Sequence, residues 1–145
     1  TYEVFANLPP YSTNDTLISM VIKKFGSFSI CTHPSPIETQ ECIRGKQAWI
    51  DKHIKPKFGK FLDAVYFPEH KSIYAVSPDG TPNILIDDFA PYIDAWNGKG
   101  GIAIKLQSSL FNNQQIVQYL DSEFSKINIT ESKFDNLYKK TLPIL

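Results

Sequence analysis

Long apolar runs are missing from this chain. None approaches the ~18 residues of a membrane span, and the N-terminus lacks the basic-then-apolar pattern of a secretory signal. Charge of a single sign is missing too. Lys+Arg and Asp+Glu stand at 15 each, so no global basic field indicates nucleic acid as a partner, although a local phosphate site needs only a few cations. Cysteine is scarce. Cys31 and Cys42 are the only two, which is no disulfide scaffold, and with three scattered histidines they make no zinc-type ligand spacing. Repeats and low-complexity segments are also absent. What is present, 42% hydrophobic and 21% charged residues in a chain of 145, is enough to bury a sizeable core. These features predict one intracellular, cytoplasmic domain with no membrane partner.

The pattern along the chain alternates between helix and strand. Thr1 to Pro10 is too short and too Pro-terminated for a central strand, and Tyr11 to Asp15 reads as a turn. Thr13 or Asn14 then caps a helix with Leu17, Ile18, Val21, Ile22 and Phe25 at helical spacing, stopped by Gly26. A strand over 28–31 follows and runs into the Pro-rich loop 32–36. The spacing of Cys42, Ile43, Lys46, Trp49, Ile50 and His53 predicts a second helix over 37–55, with Pro56 as terminator. Residues 64–67 read as a short strand, and 72–76 as another strand or the edge of a helical turn. Ser77 to Pro82 is a turn cluster in which Asp79-Gly80 supplies positive φ. Beyond it come a strand over 84–86, a short helix around Trp96, a Gly-rich break at 98–101 and a strand over 102–106. Asn112 or Asn113 then opens a helix carrying Ile116, Val117, Leu120 and Phe124. Such alternation predicts an α/β fold with a parallel sheet covered on both faces. The organisation expected is a core over 1–125 and a C-terminal extension over 126–145, either a helix around 132–140 or a docking tail with Phe134, Leu137, Tyr138, Leu142 and Ile144 facing a partner.

Chemistry concentrates where the Ile84-Leu85-Ile86 strand ends in Asp87 and Asp88. In open α/β sheets ligands bind beyond the carboxyl ends of the strands, so an acid there is placed to hold a cation. Because side chains alternate across a strand, one acid is expected to face the site and the other to brace a loop. The competing reading is a cap for the following helix, since Asp is a favoured N-cap. Other candidates divide in the same way. Thr32 is either a turn hydroxyl or a ligand at a strand end, and His33 is a phosphate ligand, a proton donor or an uninvolved loop residue. Lys46 and Arg44 either reach a ligand or sit on a solvated helix face. Cys31 fails as a phosphatase nucleophile, because that chemistry needs an arginine six residues on and Ile37 stands there. Lys99 lacks the spacing of a phosphate loop. Trp49 and Trp96 read as core.

Taken in order, Thr32 after its strand, Lys71 in His-Lys-Ser-Ile-Tyr-Ala, Asp87-Asp88 after Ile-Leu-Ile, and Trp96 followed by Gly100-Gly101-Ile102 resemble the haloacid dehalogenase-like phosphohydrolases. The likeness is to the small 5'(3')-nucleotidase-type members of bacteria and phages, and it spans roughly residues 5 to 120. It implies a Rossmann-like three-layer parallel sheet and a Mg²⁺-dependent phosphohydrolase acting on a nucleotide or other phosphomonoester, in a bacterial or phage-infected cell. In that resemblance Thr32 and Lys71 are catalytic, Thr32, His33 and Lys71 bind substrate, and Asp87 and Asp88 hold Mg²⁺.

The family's first motif, Asp-x-Asp on the first strand, has no counterpart ahead of Thr32. Glu3 is the only acid before the first helix, and it lies in no apolar strand. The expectation is therefore a sheet missing its first strand, with the nucleophilic aspartate supplied from outside the chain by a complementing N-terminal polypeptide or by an upstream segment. The alternative is a non-catalytic binding or assembly module.

Overall fold

Helix α2 (Asn14–Phe25) shows how directly the apolar spacing becomes packing. Leu17, Ile18, Val21 and Phe25 are buried along one face, where each contributes about 1.5–3 kcal/mol by leaving water. Thr13 takes the N-cap position, and its hydroxyl is directed at the Ser108 carbonyl (3.5 Å) rather than at the helix's own amides. Gly26 ends the helix with φ at 86°, its N–H donating to the Ile22 carbonyl at 2.8 Å.

The structure, a computed structural model, describes residues 2–127 and the backbone of residues 140–142. Ahead of α2 lies α1 (Tyr2–Ala6), five residues where the sequence shows no helical period. It lies against α3 (Thr39–His53) at Gly45, where a Cβ would stand 2.5 Å from the Tyr2 carbonyl oxygen. Pro56 does not end the long helix. That helix stops at His53, and Pro56 sits in the first turn of α4 (Lys55–Phe58), where its missing N–H costs nothing. Later helices are α5 (Ala90–Gly98) and α6 (Asn113–Ser125), the latter closed by a reciprocal capping box between Asn112 and Gln115.

The strands are β1 (Phe28–Cys31), β2 (Leu62–Tyr66), β3 (Ile84–Asp87), β4 (Ile102–Lys105) and β5 (Lys140–Leu142). They form one sheet in the order β2-β1-β5-β3-β4, and every neighbouring pair is parallel. Of residues 72–76, which read as a strand or the edge of a helical turn, 72–74 belong to a 3-10 turn (Lys71–Tyr74), and Val76 bridges Pro82. Alternation along β3 feeds two cores. Ile84 and Ile86 join the larger one with α2, α6, Trp49 and Ile50, while Leu85 faces Ala75 and Trp96. The chain is thus a mixed α/β structure built on parallel strands.

The expected central vacancy is not there. β5 occupies the middle of the sheet, with Thr141 opposite Ser29 on one side and Leu85 on the other. Part of the predicted C-terminal extension is therefore integral to the sheet. The helix expected around 132–140 lies outside the described residues, apart from Lys140, which begins β5. Phe134, Leu137, Tyr138 and Ile144 lie outside them too. No described helix is long and apolar enough to cross a membrane.

The Trp96 and Gly100-Gly101 combination has a packing cause. The buried Trp96 indole donates from Nε1 to the Asn83 carbonyl at 3.0 Å, anchoring α5 to the start of β3. Gly101 passes directly over that indole, where a Cβ would overlap the ring and stand 3.0 Å from the Ala75 carbonyl oxygen. Gly100 makes the preceding turn with φ at 94°, a region that favours glycine.

Candidate functional site

Because the strands are parallel, their carboxyl ends share one edge. Thr32 leaves β1 there and Asp87 ends β3 there, on the two strands that flank β5. The loop after Thr32 is pinned to the start of α3: Ser35 N–H donates to Cys42 Sγ (3.3 Å), and Thr39 Oγ1 donates to the Ser35 carbonyl (2.9 Å). That pinning brings the loop over the buried face of α3, one turn beyond Cys42, where Lys46 projects. Lys46 Nζ donates to Thr32 Oγ1 and to the His33 carbonyl, both at 2.7 Å, and the residue is only 6% exposed.

Across the crevice, Lys71 opens the 3-10 turn and is 7% exposed. Its Nζ donates to Asp87 Oδ2 at 2.6 Å and lies 4.7 Å from the centre of the Tyr92 ring. The second Asp87 oxygen, Oδ1, accepts the Phe89 N–H at 3.1 Å, so this carboxylate fixes both the lysine and the turn into α5. Asp88, next along, is exposed. The division of labour differs from the expectation of one acid facing in and one bracing, because Asp87 does both. Neither acid is the N-cap of α5; Phe89 holds that position.

Two of these charges, Lys46 and Asp88, are perturbed by their surroundings. Burial holds the Lys46 ammonium below its ordinary value, and the charge of Lys71 pushes the same way, against an opposing pull from Cys42. Desolvation pushes the Asp88 carboxyl up, helped by the hydrogen bond its protonated form donates to Asp87 and by the charge of Asp87, with Lys71 pulling it back. Two ammonium groups at one edge, one of them disfavoured by burial and by its neighbour, suit an anion. Adjacent carboxylates, of which Asp88 is pushed up by Asp87, suit a cation.

Hard oxygen donors of this kind fit Mg²⁺, which is characteristically held by one or two carboxylates together with substrate phosphate and water. Asp87 and Asp88 are the residues that would hold it. Among the described residues no group of three His, Cys, Asp or Glu side chains is gathered.

All five residues singled out in the sequence, Thr32, His33, Lys71, Asp87 and Asp88, lie at this edge. His33 contributes its backbone carbonyl to Lys46 and stacks its ring on Tyr92 at 6.2 Å and 25°. Lys46 was legible only as one of two alternatives. The deciding signal was its place within the apolar stripe of α3 between Cys42 and Trp49, since a lysine in a buried stripe needs a partner there. Arg44, two residues away, points elsewhere, pairing with Glu41 at 3.0 Å and covering the Tyr2 ring. Lys99 follows α5 at the opposite edge of the sheet. Trp49 and Trp96 are core, as expected, with Trp49 Nε1 donating to the Leu8 carbonyl at 2.7 Å. Clefts against α2, one lined by Lys23, Lys24 and Asp121 and the other by Asn14, Lys52 and Lys57, include none of these residues.

In comparisons with known proteins, no family model, no curated protein and no solved structure matches this chain.

Proposed function

We propose that this chain carries the phosphate- and Mg²⁺-binding part of a phosphohydrolase of the haloacid dehalogenase-like type, acting on nucleoside monophosphates. Its fold is then a Rossmann-like three-layer sheet. The observation that carries this reading is that two buried ammonium groups, Lys46 and Lys71, lie at the same sheet edge as the Thr32 hydroxyl and the carboxylates of Asp87 and Asp88.

The residues divide the work by charge. Lys46 and Thr32 bind phosphoryl oxygens from the β1 side, and Lys71 neutralises charge developing on the transferred group from the β3 side. Asp87 holds Lys71 in place through their 2.6 Å ion pair. Mg²⁺, when held by Asp87 and Asp88, supplies Lewis-acid neutralisation of the phosphate. Covalent transfer also requires an in-line nucleophilic carboxylate. Asp87 is engaged by Lys71 and the Phe89 amide, and Asp88 serves the cation, so on this reading the nucleophile comes from outside the described residues. That carboxylate is needed between Thr32 and Asp87, beyond the carboxyl end of the position that β5 fills between β1 and β3.

One observation favours the second reading, a non-catalytic haloacid dehalogenase-like binding or assembly module. The central position is held by Lys140-Thr141-Leu142, which brings no acid. The deciding experiment is Mg²⁺-dependent phosphate release from nucleoside monophosphates, with and without an added polypeptide bearing an acid-x-acid strand. Turnover that requires the addition and is lost in Asp87→Asn supports the enzyme. Phosphate binding without turnover in either case supports the module, and absence of both binding and turnover contradicts both.

A further inference from the structure

Three aromatic rings stand in a row at the lip of the crevice, and phosphate binding uses none of them. Tyr92 is the middle one: the His33 ring stacks on it at 6.2 Å, and the Phe89 ring meets it edge-on at 4.8 Å, with 69° between planes. The row begins beside the phosphate ligands, because Lys71 Nζ lies 4.7 Å from the Tyr92 centroid. It ends in solvent, with Phe89 50% exposed. We propose that Phe89 and Tyr92, backed by His33, form a seat for the planar base of a nucleotide whose phosphate lies between Lys46 and Lys71. This rests on the phosphate-binding reading given above and extends it to the rest of the ligand.

Three physical points support the seat. A large ring left half exposed beside charged groups gains by being covered, and a flat ring covers it best through offset or edge-to-face contact. Phe89 is also held in place rather than loose. Its N–H is fixed by Asp87 Oδ1, and its carbonyl accepts from Tyr92 N at 3.0 Å and Ile93 N at 3.2 Å, so little ordering is needed when a base arrives. Finally, Lys71 and Phe89 both contact Tyr92, 4.7 and 4.8 Å from its ring centre, which puts the exposed ring and the ammonium group within the reach of one nucleotide.

Stacking contacts tolerate any base, so the seat distinguishes nucleotides from other phosphomonoesters without reading the base's edge. The shared chemistry, a flat ring plus a phosphate monoester, also occurs in aryl phosphates, and the test separates the two. Calorimetric titration of the purified chain, with Mg²⁺, would use inorganic phosphate, ribose 5-phosphate, phenyl phosphate, AMP and UMP. The seat predicts AMP and UMP binding about tenfold tighter than ribose 5-phosphate, a margin that Phe89→Ala removes while ribose 5-phosphate keeps its affinity. Tyr92→Leu loses the same margin, with some loss for phosphate itself because Tyr92 touches Lys71. Equal binding of AMP and ribose 5-phosphate overturns the seat while leaving the phosphate site standing. Phenyl phosphate binding as tightly as AMP overturns the assignment to nucleotides. If neither inorganic phosphate nor ribose 5-phosphate binds, the phosphate site fails and the seat fails with it.

Discussion

The two walls of the crevice hold their lysines differently. On the β3 side Lys71 meets a carboxylate, and both members of the Lys71–Asp87 pair are more than nine-tenths buried. On the β1 side Lys46 meets, among the described residues, the neutral oxygens of Thr32 and His33 and, at 5.1 Å, the Phe5 ring. Neutral acceptors orient an ammonium group without discharging it, and a buried charge lacking a counter-charge is costly. The Lys71 wall therefore carries its own counter-charge, while on the proposed reading the Lys46 wall takes an anion. The same contrast explains why burial and Lys71 push the Lys46 ammonium below its ordinary value.

The largest effect should come from breaking the wall that carries its own counter-charge. Asp87→Asn leaves Lys71 buried without its counter-charge and is expected to lower the unfolding free energy by about 3–5 kcal/mol in urea titration. Lys46→Met on the other wall removes an uncompensated charge, so the same titration should show no loss and a gain of up to about 2 kcal/mol. Equal, large losses in both variants would erase the contrast. Next in size is the scaffold under β3. Gly101→Ala forces a methyl against the Trp96 indole and should cost about 1–3 kcal/mol while leaving phosphate affinity unchanged, which separates fold support from ligand binding.

The smallest effects are in pH dependence. With its native value depressed, Lys46 gives up its proton before the unfolded chain does. Stability of the unliganded protein thus rises with pH from the native Lys46 value up to 10.5, and phosphate affinity falls across the same window. Asp88 runs the other way. Its native carboxyl binds a proton above 3.8, so its contribution to stability declines as pH rises through that interval, and Mg²⁺ affinity weakens as pH falls into it. Titrating phosphate and Mg²⁺ affinity against pH, with Lys46→Met and Asp88→Asn as references, checks both signs.

What the sequence made legible was local. The α2 stripe, the acid-tipped β3, the Asp79-Gly80 turn and the Gly100-Gly101 break each follow from a short window of residue types, and each is in the structure. The rest depends on distant partners. Five residues of α1 carry too little period to announce a helix, which forms where Gly45 leaves room for it. β5 has three residues and becomes a central strand only by pairing with β1 and β3, more than fifty positions away. Lys71 reads as a surface lysine until the 3-10 turn buries it on Asp87. In the candidate site, the residues at strand ends could be found from position alone. Lys46 could be recognised only by weighing what a lysine is doing on a buried helix face.

The most direct test of this account is stabilisation by inorganic phosphate, read as the shift of the urea midpoint in the native chain and in Lys46→Met. At a hundredfold excess over its dissociation constant, phosphate should add about 2.7 kcal/mol to the native chain. It should add little to the variant, which has no unpaired ammonium left to satisfy. Equal stabilisation of the two proteins, or none in the native chain, would contradict the claim that the crevice is built to receive a phosphate group.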